Sequence, residues 1–238
     1  MATYILFWNP GISSYTRDRF ICDFDEREDV GNWSFHEHEE VKEGDTFYMV
    51  KCGEGKTGIV MRGTIESECY EGEDWSPKRR RPIYYANIET YTCINPWSEA
   101  ALLTPELLTA KLPDFNWHGG HSGRKLDEAM AQKLDEIWFS YLDCNPKMFS
   151  NEEAWIWNNS SLIPESVKEK LLEKRGRGCE VCGYDYARVF GSDCAAHNNL
   201  SVWPRPLKSP ILKRLFYNIC LNCRQAPEEV LVDKVKGL

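Results

Sequence analysis

Apolar positions in the first half of the chain fall into short bounded runs, and only later into helical stripes. Thr3–Trp8 is a β-prone run stopped by Asn9-Pro10-Gly11 and predicts a strand followed by a turn. Glu43-Gly44-Asp45 introduces Thr46–Lys51, and a turn through Gly53 and Gly55 leads into Thr57–Ile65, which together predict a hairpin. Pro82–Tyr91, rich in Tyr, Ile and Thr, predicts a further strand. Thr104 followed by Pro105 has the chemistry of a helix start and predicts a short helix over Pro105–Leu112. From Lys125 to Leu142, residues Leu126, Met130, Leu134, Ile137, Trp138 and Tyr141 recur at the helical period and line one face. Asp143 to Pro146 breaks that helix, and residues 149–161 carry Trp155 and Trp157 without a clear period. Pro164 then opens an amphipathic helix over Glu165–Lys174, ended by Gly176 and Gly178. The order predicts an α+β chain: a small bent β-barrel with flanking helices over 1–142, a packed linker over 143–164, and a smaller domain over 165–238.

Composition narrows the class. With 238 residues, 42% hydrophobic and 28% charged, the chain has the make-up of a soluble globular protein with a packed core. No apolar run approaches the roughly 18 residues of a membrane span. The first ten residues lack the basic start and apolar run of a secretory signal, so the cytoplasm is the expected compartment. In that reducing setting ten cysteines point to metal rather than to disulfides. The net charge of −8 argues against nucleic acid until it is divided. Residues 1–164 carry 16 Lys and Arg against 28 Asp and Glu, and residues 165–238 carry 13 against 9, a balance of −12 and +4.

Cys179-x2-Cys182 and Cys220-x2-Cys223 are two knuckles separated by 37 residues. Four thiolates satisfy a tetrahedral Zn2+, and the two-residue gap lets each pair aim both sulfurs at one centre, so a structural zinc is expected. A redox dithiol would need one knuckle only. Cys22, Cys52, Cys69, Cys93, Cys144 and Cys194 are left as packing residues. The stretch Val167–Gly191, a helix, a knuckle, then Gly183-Tyr184 and Phe190-Gly191, together with Cys220–Cys223, resembles HNH endonuclease domains of the ββα-metal type. The resemblance implies a catalytic Mg2+ or Mn2+ at the scissile phosphate and a His that deprotonates water. His197 is the single histidine after residue 121, and the family pattern is broken by Asn198 and by Arg224 after the last cysteine. The expectation is a zinc-bound module that has lost nuclease activity. An active endonuclease using His197, and a protein-interaction platform anchored by Trp155, Trp157 and Trp203, are the alternatives. Arg175, Arg177, Arg188, Arg205, Lys208, Lys213 and Arg214 supply charge for phosphate contacts or for a solvated surface.

Across residues 1–142, Phe7–Pro10, Asn32-Trp33-Ser34 before a short helix, Lys42–Asp45, Gly58–Gly63, Tyr70–Trp75 and Gly119–Gly123 occur in an order that resembles the EVE domain, a relative of the PUA and YTH folds. That resemblance implies a bent barrel whose pocket takes one nucleobase, often modified, flipped out of its strand. Such a pocket needs aromatic faces and polar groups for the base edge. Trp33 is the first choice for the stacking wall, with Asn32 and Ser34 as hydrogen-bonding partners. Trp8, Asn9, Trp75, Trp117 and His121 complete the base-binding set, with core packing as the competing role for each Trp. His118 with His121, or His36 with His38, lacks the further ligand that a metal site needs. The expected partner is nucleic acid, modified DNA in preference to RNA, in a modification-dependent restriction or defence role.

Overall fold

The computed structural model describes residues 1–26, 30–76, 82–144, 169–170, 172–174, 176, 178–185, 188–189, 200–202 and 216–225. It is an α+β protein whose contacts divide it into Met1–Leu134 and Asp135–Leu238. No helix among the described residues is long and apolar enough to cross a membrane.

The first unit is a curled, barrel-like sheet. Its elements run β1 (Thr3–Trp8), α1 (Arg17–Glu26), β2 (Gly31–Ser34), β3 (Thr46–Lys51), β4 (Gly58–Ile65), β5 (Tyr70–Gly72), β6 (Ile83–Cys93), α2 (Pro105–Lys111) and β7 (Arg124–Lys125), before α3 (Glu128–Cys144). The strand order is β2-β6-β4-β3-β1-β7, with β5 on β6. β1 runs parallel to β3, in register from Thr3 opposite Thr46 to Trp8 opposite Lys51, and the other neighbours are antiparallel. Every residue of β1, β3 and β4 is buried, which is why those segments are near-continuous apolar runs.

Two irregularities bend the sheet. The β3–β4 register shifts between Met49 and Val50, and the β4–β6 register shifts between Arg62 and Gly63. At the second bulge a Cβ on Gly63 would lie 1.8 Å from the carbonyl oxygen of Glu89, so only glycine lets the strands approach. The bending brings the sheet's two ends together: the N–H groups of His36 and Glu37 donate to the carbonyls of Ser122 and Gly123 at 2.8 and 3.0 Å. On its other side Gly123 N–H donates to Ile5 O at 2.9 Å, joining this seam to β1. Gly123, at φ +74°, has its Cβ direction 2.4 Å from the Cα of Phe35, so the seam too depends on a missing side chain.

An aromatic cluster covers one end of the barrel. Trp8 stacks on Phe20 of α1 with centroids 4.9 Å apart, and Trp97 meets both rings edge-on. Lys51 is fully buried there, its Nζ donating to the carbonyls of Glu54 and Lys56 at 2.7 and 2.9 Å, which cross-links the β3–β4 turn. Burial lowers its pKa from the ordinary lysine value. α2 has the predicted start, with Thr104 accepting from Leu107 N–H.

In the second unit the described elements beyond α3 are helical residues 169–170, 172–174 and 188–189, β8 (Leu200–Val202), β9 (Phe216–Asn218) and α4 (Leu221–Arg224), with β8 antiparallel to β9. Lys170 pairs with Glu136 of α3. The expectation of packing cysteines fails for Cys22 and Cys144, which are exposed, while Cys52, Cys69 and Cys93 are half-buried. Cys194 lies outside the described residues. Asn32–Ser34 is itself a strand rather than the approach to a helix, because Gly31–Ser34 pairs antiparallel with Tyr85–Ile88 of β6.

Candidate functional site

The barrel carries a cleft of about 190 Å³ lined by Ser13, Ser14, Tyr15, Val30, Asn32, Trp33, Ser34, Trp75 and Tyr85. One wall is the loop after β1, and its shape follows from local bonds. Asn9 turns the chain by accepting the N–H groups of Ile12 and Ser13 on its carbonyl and that of Gly11 on its side chain. The indole of buried Trp8 donates to Tyr15 O at 2.7 Å and pins the far end of the loop. Asp23 of α1, salt-bridged to Arg19, is the carboxylate whose charge acts on the Tyr15 phenol. Burial first, and then the Asp23 carboxylate, push the Tyr15 phenol well above its usual pKa, so it is a neutral hydroxyl.

The opposite wall is β2. Phe35 N–H donates to Tyr84 O, so by the alternation of an antiparallel pair the main-chain groups of Trp33 and Gly31 face β6. Those of Asn32 and Ser34 face away from β6, the side on which His36 reaches Ser122. The Trp33 indole N–H donates to Ser122 Oγ at 2.8 Å, and the same oxygen accepts Phe7 N–H at 3.1 Å. Tyr15 meets the Trp33 ring edge-on at 6.0 Å. Asn32 donates to Tyr70 Oη, which donates to Asn87 Oδ1, and Tyr85 Oη donates to Glu73 O. The cleft therefore combines aromatic rings, hydroxyls, an amide and a strand edge, and none of its nine lining side chains carries a charge.

Asn32, Trp33, Ser34 and Trp75 thus meet at one cleft, while the other residues of the expected set lie elsewhere. Trp8 and Trp117 are fully buried, Trp8 against Tyr15, Phe20 and Trp97, and Trp117 against Phe115 with its indole donating to Leu112 O. Neither leaves a ring face for a ligand. Asn9 shapes the loop rather than lining the cleft. His121 is exposed and stacks on His36 with centroids 4.3 Å apart, beside the seam. Ser13, Ser14, Tyr15 and Tyr85 carry no local motif; only the fold brings them to β2.

The second site is in the other unit. The Sγ atoms of Cys179, Cys182, Cys220 and Cys223 all lie within 4.8 Å of one another, and Cys182 and Cys220 are 3.8 Å apart. A tetrahedral ion with metal–sulfur bonds of about 2.3 Å needs sulfurs roughly 3.8 Å apart, so the donor set fits a thiolate-bound metal. Among the described residues no second group of three or more His, Cys, Asp or Glu comes together in this way. The first knuckle is a tight turn in which Gly183 N–H donates to Cys179 O at 2.7 Å and Cys179 N–H donates to Tyr184 O at 2.8 Å, with Gly183 at φ +74°. The second begins at Cys220, directly ahead of α4. Burial raises the Cys179 pKa, but the backbone hydrogen bonds from Cys220, Cys182 and Val181 outweigh it and hold the thiol below its ordinary value. Burial pushes Cys182 and Cys223 up, a cost that a bound dication reverses. His197, Asn198 and most of the basic side chains between the knuckles lie outside the described residues.

No protein-family model matches this chain, and no curated protein matches it.

Proposed function

We propose that this is a nucleic-acid-binding protein that reads one flipped base, bearing a modification, in the cleft beside Trp33, and that its C-terminal unit is an HNH-like module built on a structural Zn2+. The observation that carries the reading is the convergence of Asn32, Trp33, Ser34 and Trp75 on one uncharged cleft. A neutral planar ring matches that lining, since aromatic faces stack any base and the amide, hydroxyls and strand edge serve its polar rim. A volume of about 190 Å³ is below the roughly 300–1,000 Å³ of pockets for drug-sized ligands, so it favours a single base over a whole nucleotide or cofactor. The phosphates then lie outside the cleft, and the +4 balance of residues 165–238 supplies cationic charge for a nucleic-acid partner that the −12 of residues 1–164 does not.

Four cysteine sulfurs within 4.8 Å of one another support zinc, which suits a reducing cytoplasm where thiols remain available. With His197 first in the HNH pair Asn198 stands at the base position, and with His197 as the base Ala196 stands at a metal-ligand position; either register, with Arg224 in place of the further His, supports a module without cleavage and hence without a catalytic Mg2+ or Mn2+. A base reader joined to such a module fits a modification-dependent restriction or defence role.

The test is equilibrium binding of a panel of DNA and RNA oligonucleotides, each with one modified cytosine or adenine, to the parent and to Trp33→Ala. The parent is expected to prefer one modified oligonucleotide over its unmodified counterpart, and the variant to lose roughly 1–3 kcal/mol of that affinity. A parent that binds none of the panel, or a variant that binds equally well, overturns the reading.

A further inference from the structure

Asn218, at the end of β9, lies two residues before the third cysteine and is completely buried. Its backbone and side chain reach across to the first knuckle in three directions. Asn218 O accepts Glu180 N–H at 2.8 Å, Asn218 N–H donates to Glu180 Oε2 at 2.7 Å, and Asn218 Nδ2 donates to Gly178 O at 2.9 Å. Glu180 and Gly178 flank Cys179, and Ile219 separates Asn218 from Cys220. The two cysteine pairs, 37 residues apart in sequence, are therefore tied by direct hydrogen bonds between residues that are not themselves ligands.

The chemistry of the contact fixes the amide. Only the nitrogen of Asn218 can donate to Gly178 O, so Oδ1 faces the other way, buried and without a hydrogen-bond donor among the described residues. A buried acceptor without a partner is unfavourable, and an apolar residue of similar size would avoid it. What the asparagine supplies in return is the amide's grip on the turn that presents Cys179.

We propose that Asn218 and Glu180 are positioning residues of the metal centre: they hold the two cysteine pairs in register, and so set how tightly the four thiolates take up Zn2+. The proposal rests on the reading of the four cysteines as a zinc site. Residues behind a ligand shell act by orienting the ligands, and their loss commonly weakens metal affinity 10- to 100-fold while the ligand atoms stay the same.

The experiment is competition of the full chain with a chromogenic chelator for Zn2+, together with the absorption spectrum after Co2+ substitution. Asn218→Ala and Glu180→Ala are expected to weaken Zn2+ affinity about 10- to 100-fold. Their Co2+ bands should stay at the parental wavelengths, since the four sulfurs remain. Glu180→Gln, whose amide oxygen still accepts Asn218 N–H, should keep parental affinity. Unchanged affinity in both alanine variants overturns the proposal, and so does Glu180→Gln falling as far as Glu180→Ala, which would make the charge and not the hydrogen bond the cause. A parent chain that takes up no Zn2+ overturns the metal reading itself, a result distinct from either.

Discussion

In the barrel, β1, β3 and β4 bury every residue, and Trp8, Phe20, Tyr48, Phe47 and Trp117 fill the space around them. Beyond α3, the described residues of the second unit bury only Leu172, Cys179, Asn218, Ile219 and Cys220, and its two strands have three residues each. A sheet that bends through two bulges, one of them at Gly63, and meets itself at a seam has enough apolar surface to fold on hydrophobic burial. Under the zinc reading proposed above, the described hairpin and cysteine turns of the second unit are held by a tetrahedral ion that links parts of the chain distant in sequence. On that reading the chain uses two kinds of cohesion, and the kind predicts how each unit responds to damage.

The largest expected effect is at the metal. Structural zinc supplies about 10–16 kcal/mol of apparent binding energy in small zinc modules, more than such a unit's net stability. Cys220→Ser should drop zinc stoichiometry below one and abolish the unfolding transition of the C-terminal unit in calorimetry, with the barrel transition unmoved. Loss of both transitions would show that the units are not energetically separate. Next in size is the barrel core: Trp8→Ala should destabilise the barrel by about 3–5 kcal/mol in a denaturant titration and leave zinc uptake unchanged. A change below about 1 kcal/mol would mean that the aromatic cluster around Trp97 is not the core it forms on paper.

The smallest effect separates the two uses of cysteine by pH. Burial pushes the Cys69 thiol up to about 11 from the ordinary value of 9.0. Between those values the folded barrel keeps the proton that the unfolded chain has lost. The stabilising contribution is therefore fully present below about pH 9 and is lost as pH rises toward about 11. The parent's melting temperature should fall more steeply over that window than that of Cys69→Ala. Equal slopes would remove Cys69 from the account. On the zinc reading, the four candidate thiolates respond at the other end of the scale, since acid protonates them and releases the metal.

The long buried strands were legible because burial on both faces writes a run into the sequence. Thr3–Trp8 and Thr46–Lys51 match their predicted ends, and α2 and α3 were marked by Thr104–Pro105 and by a helical stripe. Helix α1 escaped because only Phe20 and Asp23 of its ten residues are buried, leaving no apolar stripe to read. β2, β5 and β7 escaped because two to four residues carry no period, and each is a strand only through the neighbour it pairs with. The cleft was half legible. Asn32, Trp33, Ser34 and Trp75 stood out as motif residues, but Ser13–Tyr15 reach it through a loop closed by the Trp8 indole, and Tyr85 arrives through β6. Trp8 and Trp117 look the same as Trp33 in sequence; what separates them is that Trp33 stands on the strand at the cleft, with Ser122 across the seam holding its indole. The cysteine spacing identified all four candidate ligands, whereas Asn218 behind them had no signal of its own.

Hydrogen–deuterium exchange of the full chain, with and without a zinc chelator, bears most directly on the division into a core-held barrel and a metal-held module. The account predicts that chelation strips protection from the peptides over 178–185 and 216–225 while those over β1, β3 and β4 keep theirs. Protection that survives chelation in the cysteine turns, or that collapses in both units together, would contradict it.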